Sequence, residues 1–451
     1  MFPALAASAS LLAAFPAQAG DLAAVERIIA DGKGLAAPGC AVGAFRSGEV
    51  LFTAAAGAGD VAEGVPLNAD TLFYAASLSK QFTALAAVLL AESGRLDLDH
   101  DVRLYLPELP EYATPVTARM LMTHTAGIRD SLDLIRLAGI RRAADTDKET
   151  ALRLVLGQSE TNFTPGTAYS YSNGGYLLLA EIVERVSGTT FAEFAREAIL
   201  EPLGMDRSHF LQDAPPGDAN IAHGYRPTRT GFEVRDTYPR FSGSGGLMTS
   251  VNDLARFEYD IEIGHKVWTP AVARTMTTLG RLNDGTPARD ARDGLEYAAG
   301  LMIGTRNGQY VVQHGGSAET FKSMYLRLPE RRLAVVLLCN RSDWIAQDKA
   351  DAVVEAVEGD IFVDEPGPSS GDGRYVSDDL QAVYELSSEG DELNARVSSL
   401  YASQAERRVT FQRQADGSYL WGGTRLRFDA DGRGFTLSTS RVRDLRFNRR
   451  D

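Results

Sequence analysis

Cysteine and histidine are scarce in this chain of 451 residues, which has two cysteines and six histidines. Neither residue type shows the spacing of a zinc site, and the histidines form no ligand cluster. We therefore assign no metal and no cofactor. Lysine is also rare, occurring only at Lys33, Lys80, Lys148, Lys266, Lys322 and Lys349. One lysine on an apolar helix is therefore a noticeable feature.

Positive charge is in the minority, with 46 basic against 60 acidic residues and a net charge of −14. This balance argues against nucleic acid or an anionic membrane surface as a partner. Beyond the N-terminus, no stretch is long and apolar enough to cross a membrane, so we expect no membrane span. With 44% hydrophobic residues, the chain can bury one large core and still form a second, small domain.

The N-terminal segment 1–19 resembles a secretory signal, although no lysine or arginine precedes its apolar core. That core, residues 5–15, is too short to span a bilayer, and Ala17-Gln18-Ala19 is typical of a signal-peptidase site before Gly20. The segment predicts a periplasmic or secreted protein. A buried N-terminal helix is the alternative.

Hydrophobic periodicity predicts strands at both ends of the region 20–362 and helices between them. A short helix at 22–29 precedes strands at 40–45 and 50–55, and the pattern from 72 to 292 is mostly helical. Strands return at 297–303, 309–314, 323–328 and 333–339, followed by a helix at 344–357. This order predicts an α/β (α+β) domain in which both chain halves complete one sheet and a site lies beside an inserted helical region.

Glycine, proline and serine dominate residues 363–373, which predicts a linker. Beyond it, residues 374–451 alternate apolar and polar side chains between turns such as Asp416-Gly417 and Asp431-Gly432. The pattern predicts a small antiparallel β domain, partly barrel-like. Two roles stay open for it: gating or partner binding, and stabilisation of the first domain.

Ser77 and Lys80 stand three residues apart at the head of an apolar run that predicts a buried helix ending near Gly94. At this spacing both side chains emerge from one helical face, so the lysine amine can reach the serine oxygen. A serine beside a desolvated lysine is an activated nucleophile. A surface helix start gives the same pattern by chance, so further motifs are needed.

Two further motifs follow. Tyr171 and Asn173 lie in a glycine-rich turn before an apolar helix at 177–186, and they supply a phenol and an amide. A strand-like run at 311–317 ends in small residues, where a substrate could lie along exposed backbone. Taken singly, Tyr171 could be a core tyrosine and Asn173 a turn residue.

In this order, Ser-x-x-Lys, Tyr-Ser-Asn and His-Gly-Gly resemble the serine β-lactamase and penicillin-binding protein superfamily. The Tyr-x-Asn form is similar to its class C β-lactamase-like branch, which includes esterases, D-aminopeptidases and DD-peptidases. Two further phrases, Leu121-Met-Thr-His124-Thr-Ala-Gly127 and Ser242-Gly-Ser-Gly-Gly246-Leu-Met-Thr-Ser250, are similar to loops of that branch. The resemblance covers about 21–359. It implies an antiparallel sheet flanked by helices plus a helical region, in some bacterial members with a C-terminal β domain.

The resemblance implies acyl transfer through an ester on Ser77. Lys80 and Tyr171 would share the transfer of the serine proton, and which of them is the base stays open because they would titrate as a unit. Asn173 would hold Lys80 and the substrate. The backbone N–H groups of Ser77 and Ser317 would form the oxyanion hole. The other substrate-binding residues would be His314, Gly315 and Gly316, whereas His124 would be structural.

His314 is a departure from many β-lactamases, which carry a lysine there. Histidine is mostly neutral at neutral pH, and in this respect the chain is similar to esterase and aminopeptidase members. We therefore predict a serine hydrolase whose partner is a small-molecule ester, amide or peptide, including D-amino acid peptides. Two alternatives stay open: a β-lactamase or DD-carboxypeptidase, and a non-catalytic binding or sensor protein that retains the fold. No oligomeric state is predicted.

The resemblance also places the two cysteines. In the usual sheet of this family the first strand lies antiparallel to the last, so Cys40 would face Cys339, with Cα atoms within about 7 Å. An oxidising compartment makes a disulfide plausible, and two packed free thiols are the alternative.

Overall fold

The computed structural model describes residues 22–30, 32–211, 220–236, 238–239, 241–290, 294–362, 371–399, 407–414, 417–429, 432–439, 442 and 445–450. The expected signal segment at 1–19 and residues 363–370 of the expected linker lie outside this set. So do Asp416 and Asp431 of the predicted turns. The domain limits drawn from the sequence therefore stay predictions.

The α-helices of the described residues lie mostly in the first three quarters of the chain. They are α1 Leu22–Ile29, α2 Ser79–Glu92, α3 Ala118–Met122, α4 Ser131–Leu137, α5 Lys148–Leu156, α6 Asn173–Ser187, α7 Phe191–Ala195, α8 Glu201–Leu203, α9 Val251–Tyr259, α10 Pro270–Thr277 and α11 Ala346–Glu358. Within the described part of the chain, none of them is long and apolar enough to cross a bilayer.

The strands fall into an early and a late set. The early set is β1 Cys40–Arg46, β2 Glu49–Ala56, β3 Ala58–Asp60, β4 Val65–Pro66, β5 Phe73–Tyr74, β6 His209–Phe210, β7 Tyr225–Pro227, β8 Phe232–Val234, β9 Leu247–Thr249, β10 Glu296–Tyr297, β11 Met302–Arg306, β12 Gln309–Ser317, β13 Lys322–Leu328 and β14 Leu333–Cys339. The late set is β15 Gly373–Ser377, β16 Ala382–Glu389, β17 Glu392–Ser399, β18 Arg407–Arg413, β19 Tyr419–Trp421, β20 Thr424–Phe428, β21 Gly434–Ser438 and β22 Leu445–Arg449.

A seven-stranded antiparallel sheet in the order β10-β11-β12-β13-β14-β1-β2 organises the first region. β14 pairs with β13 on one side and with β1 on the other, so a late segment completes the sheet that the first strands begin. Every residue of β14 is buried. This strand lacks polar alternation because helices cover both of its faces, α9 on one and α11 on the other. The predicted sheet, built from both chain halves and flanked by helices, is confirmed.

Two predicted strands differ from those observed. The strand expected at 297–303 is a hairpin of β10 and β11, because the chain turns at Gly300, where φ is +70°. That backbone conformation favours glycine. The strand expected to end at His314 continues to Ser317, since its two glycines stay paired with β13.

The two cysteines lie opposite each other in neighbouring strands. Cys40 of β1 is in register with Cys339 of β14. Their Cα atoms are 4.1 Å apart and the side chains form a disulfide. The strand order implied by the family resemblance is therefore confirmed, and of the two open alternatives the structure shows the disulfide.

A buried group of charges joins α9 to the sheet. Arg327 of β13 donates to Glu258 of α9 at 2.9 Å and to Glu262 at 2.6 Å. The Tyr325 hydroxyl also donates to Glu258, whose residue surface is only 2% exposed. Burial raises the pKa of Glu258, and the Arg327 cation opposes that rise. Arg327 is thus the cation that favours the ionised form of this buried carboxylate.

The late strands form a closed eight-stranded barrel. Closure comes from pairing of β15 with β22, in which Tyr375 lies opposite Arg449. Aromatic and aliphatic side chains fill the interior, including Phe411, Phe435 and Phe447. The predicted antiparallel β domain is confirmed, and it is a full barrel rather than a partial one. Complete closure leaves no open edge for unwanted strand pairing.

Candidate active site

Ser77 lies in a tight 3₁₀ turn, Ala76–Leu78, directly before the buried helix α2. The turn is held from inside the helix, since the Ser79 hydroxyl donates to the Ala76 carbonyl at 2.6 Å. Ala76 has a φ of +50°, which a residue with a Cβ adopts only at some cost. Ser77 itself is half-buried between fully buried neighbours. Its hydroxyl is thus fixed at the helix start and within reach of solvent.

Lys80 lies one helical turn further on and is fully buried. Its Nζ is 3.2 Å from Ser77 Oγ and 2.8 Å from both Asn173 Oδ1 and the Ser244 carbonyl oxygen. The last two atoms can only accept hydrogen bonds. A neutral amine therefore donates its two N–H groups to them and turns its lone pair to the Ser77 hydroxyl. This is the arrangement that a general base requires.

Burial also changes the charge state of this amine. Desolvation lowers the pKa of Lys80 to about 7, and the negative charge of Asp130 partly opposes this effect. A substantial fraction of the amine is therefore neutral near neutral pH. Geometry and electrostatics together equip Lys80 to take the Ser77 proton.

Tyr171 lies against the same amine, with Lys80 Nζ 4.8 Å from the centre of its ring. The ring of His124 packs on Tyr171 at 4.3 Å between centroids, and His124 Nδ1 accepts the Ser172 N–H at 3.1 Å. His124 is 2% exposed and has a φ of +59°. It therefore lies in a tight turn that packs against the Tyr171–Asn173 segment and holds it by a hydrogen bond.

Asn173 opens helix α6 and bonds on two sides. Its Oδ1 accepts from Lys80, while its backbone N–H and Nδ2 both donate to Asp130 Oδ2 at 2.8 Å. Ser172 caps the helix by accepting the Gly175 N–H at 3.1 Å. The structure thus brings together Ser77, Lys80, Tyr171 and Asn173, which the sequence places in two distant motifs.

The His-Gly-Gly motif forms the end of β12 beside the nucleophile. A Cβ at Gly316 would lie 2.3 Å from the Ala75 carbonyl oxygen and 3.1 Å from the Ser77 nitrogen. The strand can therefore approach the Ser77 turn only because residue 316 is glycine. Pairing of β12 with β11 ends at Gln313, so residues 314–317 extend beyond that ladder. Gly315 is half-buried and Ser317 is exposed on this extension.

His314 is 3% exposed, and protein groups contact both of its ring nitrogens. Nδ1 lies 2.7 Å from the Gly315 carbonyl oxygen and Nε2 lies 2.8 Å from the Tyr297 hydroxyl. Because a carbonyl only accepts, Nδ1 carries a proton, and both ring nitrogens are engaged within the protein. The His314 ring centre is 6.3 Å from that of Tyr171, so this side chain borders the site.

Three residues that bond to the predicted site residues were not identified from the sequence: Asp130, Ser244 and Tyr297. Ser244 contributes a backbone carbonyl, which any residue type could supply, and its only signal is the similarity of its loop to a family phrase. Asp130 precedes helix α4, and its only signal in the sequence is that of a helix N-cap. Across the described residues, no group of three or more His, Cys, Asp or Glu side chains is arranged to hold a metal ion.

Comparison with known proteins gives consistent matches. A sequence profile of the family described as Beta-lactamase matches residues 25–360. A D-aminopeptidase of Gluconobacter oxydans is 29% identical over 312 residues, covering 67% of this chain but only 56% of the relative. Penicillin-binding protein 4* of Bacillus subtilis is 26% identical over 339 residues, 71% of each chain. The octameric penicillin-binding protein homologue of Pyrococcus abyssi superposes with a TM-score of 0.66 at 22% identity, covering 91% of this chain and 96% of its own.

Proposed function

Because this chain belongs to the Beta-lactamase family, we propose that it is a serine hydrolase that cleaves ester or amide bonds through an acyl-enzyme on Ser77. One observation carries the proposal: Ser77 Oγ lies 3.2 Å from the Nζ of a fully buried lysine that also bonds to two oxygen atoms able only to accept hydrogen bonds. A binding or sensor protein that merely retained the fold would need neither this amine nor its desolvation.

The proposed reaction has two steps. Ser77 Oγ attacks the substrate carbonyl carbon while its proton passes to the Lys80 and Tyr171 pair. The tetrahedral intermediate then expels the amine or alcohol, which takes that proton and leaves an ester on Ser77. A water molecule, deprotonated by the same pair, attacks this ester, and the acid is released with Ser77 restored.

The negative charge of the intermediate needs donors that are already in place. The backbone N–H groups of Ser77 and Ser317 are the proposed oxyanion hole. The close approach of Gly316 to the Ser77 nitrogen supports this assignment, since it brings the end of β12 beside the nucleophile. The substrate would lie along the strand extension at 314–317 and bond to its backbone.

We propose that the substrates are small esters and amides, including D-amino acid peptides. We also propose a periplasmic or secreted location. The D-aminopeptidase relative supports the first part. His314 supports it too, since a histidine there offers no permanent cation to a substrate carboxylate, and both of its ring nitrogens bond within the protein. The disulfide between Cys40 and Cys339 supports the location, because disulfides persist in oxidising compartments.

A panel of purified substrates tests this proposal. We expect short-chain aryl esters and a D-alanine anilide to be hydrolysed faster than a chromogenic cephalosporin or a D-Ala-D-Ala peptide. Replacing His314 with lysine should shift the preference toward the carboxylated compounds. Intact-mass spectrometry of the acyl-enzyme provides an independent measurement. A wild-type enzyme that strongly prefers cephalosporins would instead be a β-lactamase, and one acylated by nothing in the panel would favour a non-catalytic role.

Tyr171→Phe is expected to lower kcat/KM by about two to four decades, the usual range for losing a general acid or base. The ring stays, so contacts with His124 and Lys80 remain and the melting temperature should change little. Tyr169→Phe is the matched control: that hydroxyl donates to Asp290 at 3.3 Å and has no proposed role in proton transfer. Equal rates in wild type and Tyr171→Phe would make Tyr171 a packing residue only.

A further inference from the structure

Asp130 contacts Asn173 from outside all three sequence motifs. One carboxylate oxygen, Oδ2, accepts both the backbone N–H and the Nδ2 of Asn173 at 2.8 Å. The other, Oδ1, caps helix α4 by accepting from Leu132 at 2.9 Å and Asp133 at 3.0 Å. Both oxygens are therefore engaged, and the carboxylate cannot rotate without breaking one of these pairs.

This geometry fixes which way the Asn173 amide points. A carboxylate only accepts hydrogen bonds, so the NH₂ end of the amide must face Asp130. The oxygen end is then directed at Lys80 Nζ, at 2.8 Å. A flipped amide would place two donors against the lysine amine and an oxygen against the carboxylate, which is unfavourable on both sides.

The backbone is shaped for this contact. A Cβ at Gly174 would lie 2.2 Å from the Arg129 carbonyl oxygen and 3.3 Å from the Ser131 nitrogen. Only a glycine after Asn173 therefore allows the start of α6 to lie directly against the turn that carries Asp130.

Asp130 also contributes charge to the site. The titratable groups facing Lys80 in the described residues are Tyr171 at 4.8 Å, Tyr176 at 5.4 Å (both to ring centres) and the Asp130 carboxylate. Burial lowers the pKa of Lys80 to about 7, and Asp130 acts against this shift. Removing the negative charge should therefore lower the pKa of Lys80 further.

We propose that Asp130 is a positioning residue of the acylation step, which orients the Asn173 amide toward Lys80 and keeps a negative charge beside the buried amine. The proposal rests on the function proposed above. It predicts two separable effects of changing Asp130, one transmitted through Asn173 and the other acting on the titration of Lys80.

The test measures the second-order rate at which an uncharged fluorophosphonate labels Ser77, as a function of pH. Asp130→Asn keeps the shape of the side chain but offers one acceptor oxygen in place of two. We expect labelling to slow by about 10- to 100-fold, as for a small misplacement of a reacting group. The acidic limb of the pH–rate profile should move to lower pH. Asp130→Ser can still cap helix α4 but carries no charge, and it should show the same two effects. A folding defect caused by the loss of the cap would then not explain them.

Controls separate this role from a purely structural one. Asp133→Asn, in the first turn of the same helix, should leave both rate and profile unchanged. In an Asn173→Ala background, Asp130→Asn should lose most of its effect on the maximal rate while still moving the acidic limb. An unmoved acidic limb in the Asp130 variants, or an equally large rate loss without Asn173, would overturn the proposal. Absence of label in the wild type would instead overturn the proposed function.

Discussion

Replacing Ser77 with alanine is expected to abolish turnover of every substrate, a loss of at least about 10⁴-fold in kcat/KM. The Ser77 hydroxyl is the one held at 3.2 Å from the amine of Lys80, and without it the acyl group has no oxygen to bind. Labelling by fluorophosphonate or penicillin-type probes should disappear as well. Ester hydrolysis and intact-mass spectrometry provide the two measurements.

A neighbouring serine provides the matched control. Ser79 is the buried first residue of α2, and its hydroxyl donates to the Ala76 carbonyl and accepts the Leu247 N–H. Ser79→Ala should lower stability by about 1–3 kcal/mol, because it removes two buried hydrogen bonds, while Ser77 is still labelled. If Ser77→Ala kept its activity and a different serine carried the label, the proposed mechanism would be wrong.

The largest effect on stability is expected from Arg327→Met, which should lower the free energy of unfolding by about 3–5 kcal/mol. The methionine fills similar space but leaves Glu258 buried with the Tyr325 hydroxyl and without its cation. Thermal or urea unfolding measures the loss. Arg327 opposes the rise that burial causes in the pKa of Glu258, so removing Arg327 should raise this pKa further. At low pH the folded variant holds Glu258 protonated and neutral, which needs no cation. As pH rises, Glu258 must either keep a proton that the unfolded chain has lost or become a buried charge, so the destabilisation should grow.

Two companion variants identify the cause. Glu258→Gln together with Arg327→Met removes the fully buried pair and should recover part of the lost stability. Glu262, which also loses Arg327, is less buried and keeps Arg332 at 3.6 Å. Arg153→Met breaks an exposed pair with Glu149, in which the side chains are 65% and 79% exposed, and should cost less than about 1 kcal/mol. Equal losses from Arg327→Met and Arg153→Met would show that the buried cation is not needed.

Contacts that lie within one short stretch of sequence could be predicted from it. Ser77 and Lys80 are one helical turn apart, so their contact follows from helix geometry alone. The approach of Asn173 to Lys80 depends on family resemblance, since 93 residues separate the two. The strand order was available in the same way, and Cys40 and Cys339 tested it in the structure.

What the sequence could not provide are contacts without a residue signature. The Ser244 partner of Lys80 is a carbonyl, whose position depends on how a loop folds over α2. Tyr297 reaches His314 from a strand of two residues, too short to show periodicity. Closure of the barrel depends on pairing the first late strand with the last, for which alternating polarity within each strand gives no evidence.

The position of β1 has a consequence for how the chain is made. Its two neighbours in the sheet are β2, which follows at once, and β14, whose Cys339 is 299 residues beyond Cys40. During synthesis β1 therefore emerges long before β14, and the β1 edge of the β1–β2 hairpin stays unpaired until β14 has been made. Such long-range pairing slows folding and exposes aggregation-prone edges in the meantime. A ribosome-bound fragment ending before β14 should accordingly bind chaperones, whereas a fragment that includes it can close the central sheet.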